Sequence, residues 1–199
     1  KESKLVRDNV FKISENNKIK INKILFKGNK NFSDFRLRWQ LKETKQQPFY
    51  MFWRSTFSDL SFKEDIELLS TFYRNKGYRD FEILKDSIAY SENLKKMNII
   101  LTISEGEKYK YRKFSWEGMS LFSEEDLQNT LSLEKGDHFS DEEFNLSLYS
   151  RVQGLYLDRG YIYSRIEPQI TPVGSDSLDI HFIITENHKV YINNIIVQG

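Results

Sequence analysis

The chain of 199 residues contains no cysteine, which excludes disulfides and thiol chemistry and leaves its redox compartment open. It also has almost no net charge: 30 Lys and Arg stand against 29 Asp and Glu, a formal +1. A nucleic-acid binder needs a basic face to neutralise phosphates, so no nucleic-acid partner is expected. There is no run of about 18 apolar residues, hence no candidate membrane-spanning helix. No signal peptide is recognisable and the first residues already read as strand, so the sequence is expected to be a fragment whose targeting segment lies elsewhere. Catalytic signatures are missing as well. There is no G-x-S-x-G elbow, no G-x-G-x-x-G and no Walker-type loop, and His138, His181 and His188 are too scattered for a metal motif. No cofactor, no metal and no enzymatic activity are expected.

What the sequence does contain is one pattern written three times. Ile13-Ser14-Glu15 precedes Ile19, Ile21, Ile24, Phe26 and Gly28; Ile103-Ser104-Glu105 precedes Tyr109, Tyr111, Phe114, Trp116 and Gly118; Ile184-Thr185-Glu186 precedes Val190, Ile192, Ile195, Val197 and Gly199. The copies repeat after 90 residues (Gly28 to Gly118) and then 81 (Gly118 to Gly199), the length of a small domain rather than a solenoid turn. The organisation this implies is the last strand of one unit (1–16), two whole units (17–107 and 108–187) and the first strand of another (188–199). An aromatic content of 15% suits small sheets packed under helices.

Within a unit the first strand places apolar residues at i and i+2, then at i+5 and i+7. That change of phase predicts one extra residue, a β-bulge. Gly28-Asn29 and Gly118-Met119 read as exit turns at positive φ. Ser33 and Ser123 read as N-caps of a short helix, with the staples Phe32/Leu37 and Phe122/Leu127 at the same register. A second helix is expected to start at the S-x-x-E boxes Ser61–Glu64 and Ser140–Glu143. Its buried faces are Ile66, Leu69 and Phe72-Tyr73, and Phe144, Leu148, Val152 and Leu155-Tyr156; its stops are Gly77 and Gly160. Two strands follow, Phe81–Tyr90 then Asn98–Ser104, and Ile162–Thr171 then Leu178–Thr185, joined by short polar turns at 91–97 and 172–177. Strand, helix, helix, strand, strand is an α+β unit with two helices on one face of a three-stranded mixed sheet.

That order, with the G-N turn, the Y-x-x-x-G-Y helix end and the E-G joint, resembles the POTRA (polypeptide-transport-associated) domains of outer-membrane β-barrel assembly proteins. The long Trp-bearing connection Gln47–Arg54 resembles one found in the third domain of the five-domain arms of that family. The resemblance implies a non-enzymatic periplasmic arm in front of a C-terminal membrane barrel, receiving unfolded outer-membrane proteins and docking accessory lipoproteins. It also implies strand addition to a sheet edge formed by the last-but-one strand. In the first unit that edge is Phe81, Glu82, Ile83, Leu84, Lys85, Asp86, Ser87, Ile88, Ala89 and Tyr90, which lacks proline. In the second it is Ile162–Pro172, where Pro168 and Pro172 fall, and proline cannot donate to an added ladder. The first unit is therefore expected to be the strand acceptor. The cluster Phe49, Tyr50, Phe52 and Trp53 is read as extra core under the helices, with a contact surface for clients or subunits as the alternative.

The recurring Glu15, Glu105 and Glu186 invite a carboxylate-hydrolase reading, but no second acid or histidine recurs with them, so a structural role at the joint is expected. His181 is expected on the polar face of its strand. An arm of a two-partner secretion or translocation transporter is the alternative within the same fold; a single-unit cell-division protein is disfavoured by the tandem repeat. Links as short as Gly106-Glu107-Lys108 and Asn187-His188-Lys189 predict limited motion between units.

Overall fold

The computed structural model describes residues 20–46, 57–92, 96–191 and 194. The strand expected within 1–16, Glu15, the aromatic cluster at 49–53 and the second half of the third copy of the repeat (Ile192, Ile195, Val197 and Gly199) lie outside the described residues.

The first strand of each unit carries the expected bulge. Strand β1 (Lys20–Lys27) runs parallel to β3 (Lys96–Ser104), and the pairing passes over Asn22; β4 (Lys110–Glu117) runs parallel to β6 (Ser177–Thr185), and the pairing passes over Arg112. The extra residue resets the alternation so that Ile21, Ile24 and Phe26, and Tyr111, Phe114 and Trp116, all face the helices and are buried. The bulged side chain reaches the central strand in both units. Asn22 Nδ2 donates to Asn98 Oδ1 at 2.9 Å, and Arg112 forms a two-pronged ion pair with Asp179.

Antiparallel β2 (Glu82–Tyr90) and β5 (Arg165–Val173) complete two mixed sheets, ordered β1-β3-β2 and β4-β6-β5. Central strands β3 and β6 alternate buried and half-buried residues along their length, and each sheet has its own hydrophobic core. Helices α1 (Asp34–Gln40) and α2 (Asp59–Arg74) belong to the first unit. The second has α3 (Glu124–Leu131), α4 (Asp141–Asn145) and α5 (Gln153–Asp158), the last two joined without a break by a π-helical turn at Leu146–Val152.

Exit turns at Gly28 (φ 94°) and Gly118 (φ 82°) need glycine twice over. The backbone is left-handed, and an added Cβ would stand 2.1 Å from the carbonyl oxygen of Ile103 or Ile184 on the adjacent central strand. Ser33 and Ser123 cap their helices as expected, Ser123 in a full capping box with Asp126. The start of α2 differs from expectation: Ser58, not Ser61, is the cap, and Ser61 lies in the first turn with its N–H donated to Ser58 Oγ. At Ser140 only half of the expected box forms. Glu143 donates its N–H to Ser140 Oγ, but its carboxylate turns to Arg151 at 3.0 Å, where a full charge is the stronger partner.

The π turn has a cause in the sequence. Ser140 and Gly160 stand one residue further apart than Ser58 and Gly77, although each pair spans cap to stop. Accordingly Phe144, Leu148, Val152 and Tyr156 recur every four residues, whereas Phe62, Ile66, Leu69 and Tyr73 follow a 4-3-4 spacing close to 3.6 per turn. A wide turn absorbs the extra residue and leaves all four apolar side chains of the second unit buried. Two strand limits also move. Phe81 and Ile162–Ser164 belong to turns after the glycine stops rather than to strands, because Phe81 N–H is taken by Tyr78 and Ser164 N–H by Tyr161. Pro172 lies inside β5 rather than in its hairpin.

Candidate functional site

Both last-but-one strands sit at a sheet margin, with the central strand on one side of each. In β2 the hydrogen-bonding direction of each residue follows from one contact. Ser91 N–H donates to the Lys96 carbonyl at 2.8 Å, so counting back by twos Ala89, Ser87 and Lys85 face β3. Asp86, Ile88 and Tyr90 therefore turn their N–H and C=O groups to the open side. A bulge at Leu84 interrupts the register near the start of the strand, leaving Leu84 exposed, as Tyr90 is at its end. Phe81 is withdrawn from the edge and stacks on Tyr73 with ring centroids 4.0 Å apart.

In the second unit Pro168 and Pro172 pair with Phe182 and Leu178. Those two are the counterparts of Leu101 and Met97, the partners of Asp86 and Tyr90. The prolines thus replace two of the three outward donors found in β2. The opposite margins are covered in part. Gln46 Oε1 accepts the Ile24 N–H (3.4 Å) and Arg38 donates to the Ile24 carbonyl (3.3 Å). On β4, Tyr111 N–H donates to Asp137, and its carbonyl accepts from Gly136. Of the four margins, β2 keeps the longest open row among the described residues.

The recurring carboxylates hold the unit together from behind the central strand. Buried Glu105 accepts from Asn31 N–H (3.1 Å), Asn31 Nδ2 (2.6 Å) and the buried Tyr73 hydroxyl (2.9 Å). Glu186 does the same for Ser120 and Leu121 N–H (2.8 and 3.0 Å), Ser120 Oγ and Tyr156 (3.3 Å). Burial followed by the hydrogen bond to Glu105 pushes the Tyr73 phenol far up. Burial would raise the Glu186 carboxyl, but the donors from Ser120, Leu121 and Tyr156 hold it below its ordinary value. Each glutamate ties the exit turn to the end of the second helix, the structural role expected of it. His181 lies on the polar sheet face between its cross-strand neighbours, with Nδ1 2.9 Å from Ser115 Oγ and Nε2 3.1 Å from Glu117. Among the described residues no cluster of three or more potential metal ligands occurs, and no helix is long and apolar enough to cross a membrane.

The side-chain contacts that lock the joint between the units have no sequence signature. The carbonyl of Gly77 (φ 98°) accepts from Tyr109 N–H at 2.9 Å, and the Tyr109 hydroxyl donates to Asp80 at 2.6 Å. The Asn75 side chain exchanges two hydrogen bonds with Glu142, both 3.0 Å, and Arg74 lies 3.6 Å from Asp141. The end of α2 is thus keyed to the start of α4. Most of these are partly exposed polar side chains without periodicity, so only the fold brings them together. An exposed aromatic pair on α1, Phe35 and Trp39, has no counterpart in the second unit, which has Glu125 and Asn129 there. The cluster Phe49, Tyr50, Phe52 and Trp53 falls outside the described residues.

Comparison with known proteins agrees with the architecture. The POTRA family model, described as a surface antigen variable number repeat, matches twice, over residues 19–106 and 109–187. The outer membrane protein assembly factor BamA of Neisseria meningitidis is 31% identical over 205 residues, covering 100% of this chain and 26% of the relative. BamA of Buchnera aphidicola is 23% identical over 94% of this chain and 30% of its own length. The chain therefore spans about a quarter to a third of these relatives. Among solved structures, POTRA domains 3–5 of Haemophilus influenzae BamA share the fold with a TM-score of 0.67, at 22% identity, over 86% of this chain and 67% of that one. Two tandem matches over most of its length, on two mixed sheets with helices on one side, show that this chain belongs to the POTRA family.

Proposed function

We propose that the chain is a non-enzymatic, cofactor-free scaffold from the periplasmic arm of a BamA-type assembly factor, lying in front of a C-terminal membrane barrel. It receives unfolded outer-membrane proteins and docks accessory lipoproteins of the assembly complex. The units are 17–107 and 108–187, in the position of the third and fourth domains of such an arm, flanked by a strand of a preceding domain (1–16) and one of a following domain (188–199). Clients add as a strand along β2. The carrying observation is the open row at Asp86, Ile88 and Tyr90, set against the prolines on β5 and the partly covered margins of β1 and β4. If Phe49, Tyr50, Phe52 and Trp53 are not extra core under the helices, they supply a second contact for clients or subunits.

Asp86→Pro tests the edge cleanly. Asp86 is exposed, and its N–H points away from β3, so proline there removes an outward donor without breaking the internal ladder. In the full-length protein, photocrosslinkers at Lys85 and at Gln169 report capture of a nascent barrel strand on β2 and β5. Crosslinks are expected mainly on β2 and to fall in Asp86→Pro with the fold intact by circular dichroism. Preferential capture on β5, or capture indifferent to Asp86→Pro, would overturn the reading.

A further inference from the structure

The two joints share a backbone design but not a chemistry. At the second joint Val190 N–H donates to the Gly160 carbonyl at 2.9 Å, as Tyr109 does to Gly77. Lys189 lies over Gly160 as Lys108 lies over Gly77, their Cγ atoms 3.4 and 3.0 Å from where a Cβ would stand. The chain therefore leaves both units along the same path. Aligning the units on these glycines places Leu157 where the first has Arg74, and Tyr163 where it has Asp80. Arg74 and Asp80 touch the next unit through their side chains, as does Asn75, whose place Asp158 takes. Ile162 likewise stands in the place of Arg79.

Three of these replacements are apolar and uncovered among the described residues: Leu157 is 45% exposed, Ile162 50% and Tyr163 56%. Beside them an open groove of about 590 Å³ is lined by Ile162, Tyr163, Arg165, Asn187 and His188, among others. Single exposed apolar residues are ordinary. Three apolar residues in place of charged ones, two of them at positions that dock a neighbour one unit earlier and the third beside them, are a contact surface in waiting.

We infer that Leu157, Ile162 and Tyr163 form an apolar docking face for a third unit of the same fold, entered through Lys189-Val190. The first turn of that unit's second helix is apolar where the second unit has Asp141 and Glu142. The inference rests on reading 188–199 as the opening strand of a further unit. Its consequence is a graded arm: the first joint, held by Arg74–Asp141 and Asn75–Glu142, loosens as salt screens it, and the second does not.

The test uses the full-length protein with single cysteines at Ile162, at Tyr163 and, as an exposed control, at Glu125. The two joint positions are expected to react with a maleimide at least about tenfold more slowly than the control. A cysteine at the residue aligned with Asp141 in the following unit is expected to form a disulfide with Leu157→Cys, the pair that corresponds to Asp141 and Arg74 at the first joint. Labelling as fast as at Glu125 would overturn the inference, as would slow labelling with crosslinks to a client or accessory protein instead. Failure of the underlying reading is recognised separately, by the absence of a strand-helix-helix-strand-strand pattern after residue 199.

Discussion

Replacing Glu105 by alanine isolates the tie between exit turn and helix end. Its carboxylate is buried and takes the hydroxyl of Tyr73, itself fully buried, at 2.9 Å. A hydrogen bond to a charged group contributes about 1.5–3 kcal/mol, and a hydroxyl left unpaired in the core loses it outright. Asn31 is exposed, so water replaces most of what its two donors lose, and about 0.5–1 kcal/mol is added. The expected destabilisation of the first unit is therefore about 2–4 kcal/mol. Amide exchange at Ile99 and Leu101 on β3 reads opening of that unit alone; Ile180 and Phe182 on β6 read the second. Glu105→Ala should accelerate exchange on β3 roughly thirtyfold to several-hundredfold. Glu186→Ala should act more weakly on β6, because its carboxylate is less buried and meets Tyr156 at 3.3 Å. Exchange on β3 no more affected by Glu105→Ala than β6 is by Glu186→Ala would refute the argument. So would a double-mutant cycle of Glu105→Ala with Tyr73→Phe whose coupling is below about 0.5 kcal/mol.

Gly118→Ala should destabilise the second unit by about 3 kcal/mol or more, since both the left-handed backbone and the Ile184 carbonyl oppose a Cβ; a drop of the same size should follow Gly28→Ala in the first, read by thermal melting. Deleting exposed Ser150 should turn the π turn into regular α-helix at a cost under about 1 kcal/mol, with Tyr156 still buried, whereas the insertion of one residue into α2 should create a π turn there; heteronuclear chemical shifts distinguish the forms. Because the Glu186 carboxyl is held below its ordinary 4.5 in the folded state, its contribution is complete above that pH and is lost as the pH falls through the depressed value. Fluorescence of Trp116, buried in the second unit, should report this acid loss, and Glu186→Gln should flatten it.

How much was legible depended on the kind of interaction. The bulge at Asn22 and Arg112 was readable because a buried strand forces period two, and an extra residue must show as a break in that period. The glutamates were readable as joint residues by recurrence, but their partners Tyr73 and Tyr156 were not, since 32 and 30 positions separate them. The α2 start was misplaced by three residues because Ser58 and Ser61 are both competent caps, and only the packing of Phe62 and Leu69 chooses between them.

By itself the sequence determined the unit: its α+β order, its duplication, its core faces, its glycine turns and the prolines that blunt one edge. All of these follow from local rules of periodicity, capping and backbone freedom. The tertiary structure alone decided which backbone groups stay open along β2, how side chains and loops partly cover the opposite margins, and how Arg74, Asn75 and Asp80 key one unit to the next. These depend on pairing between segments remote in sequence and on polar surface contacts, and neither leaves a period in the chain for a reader to find.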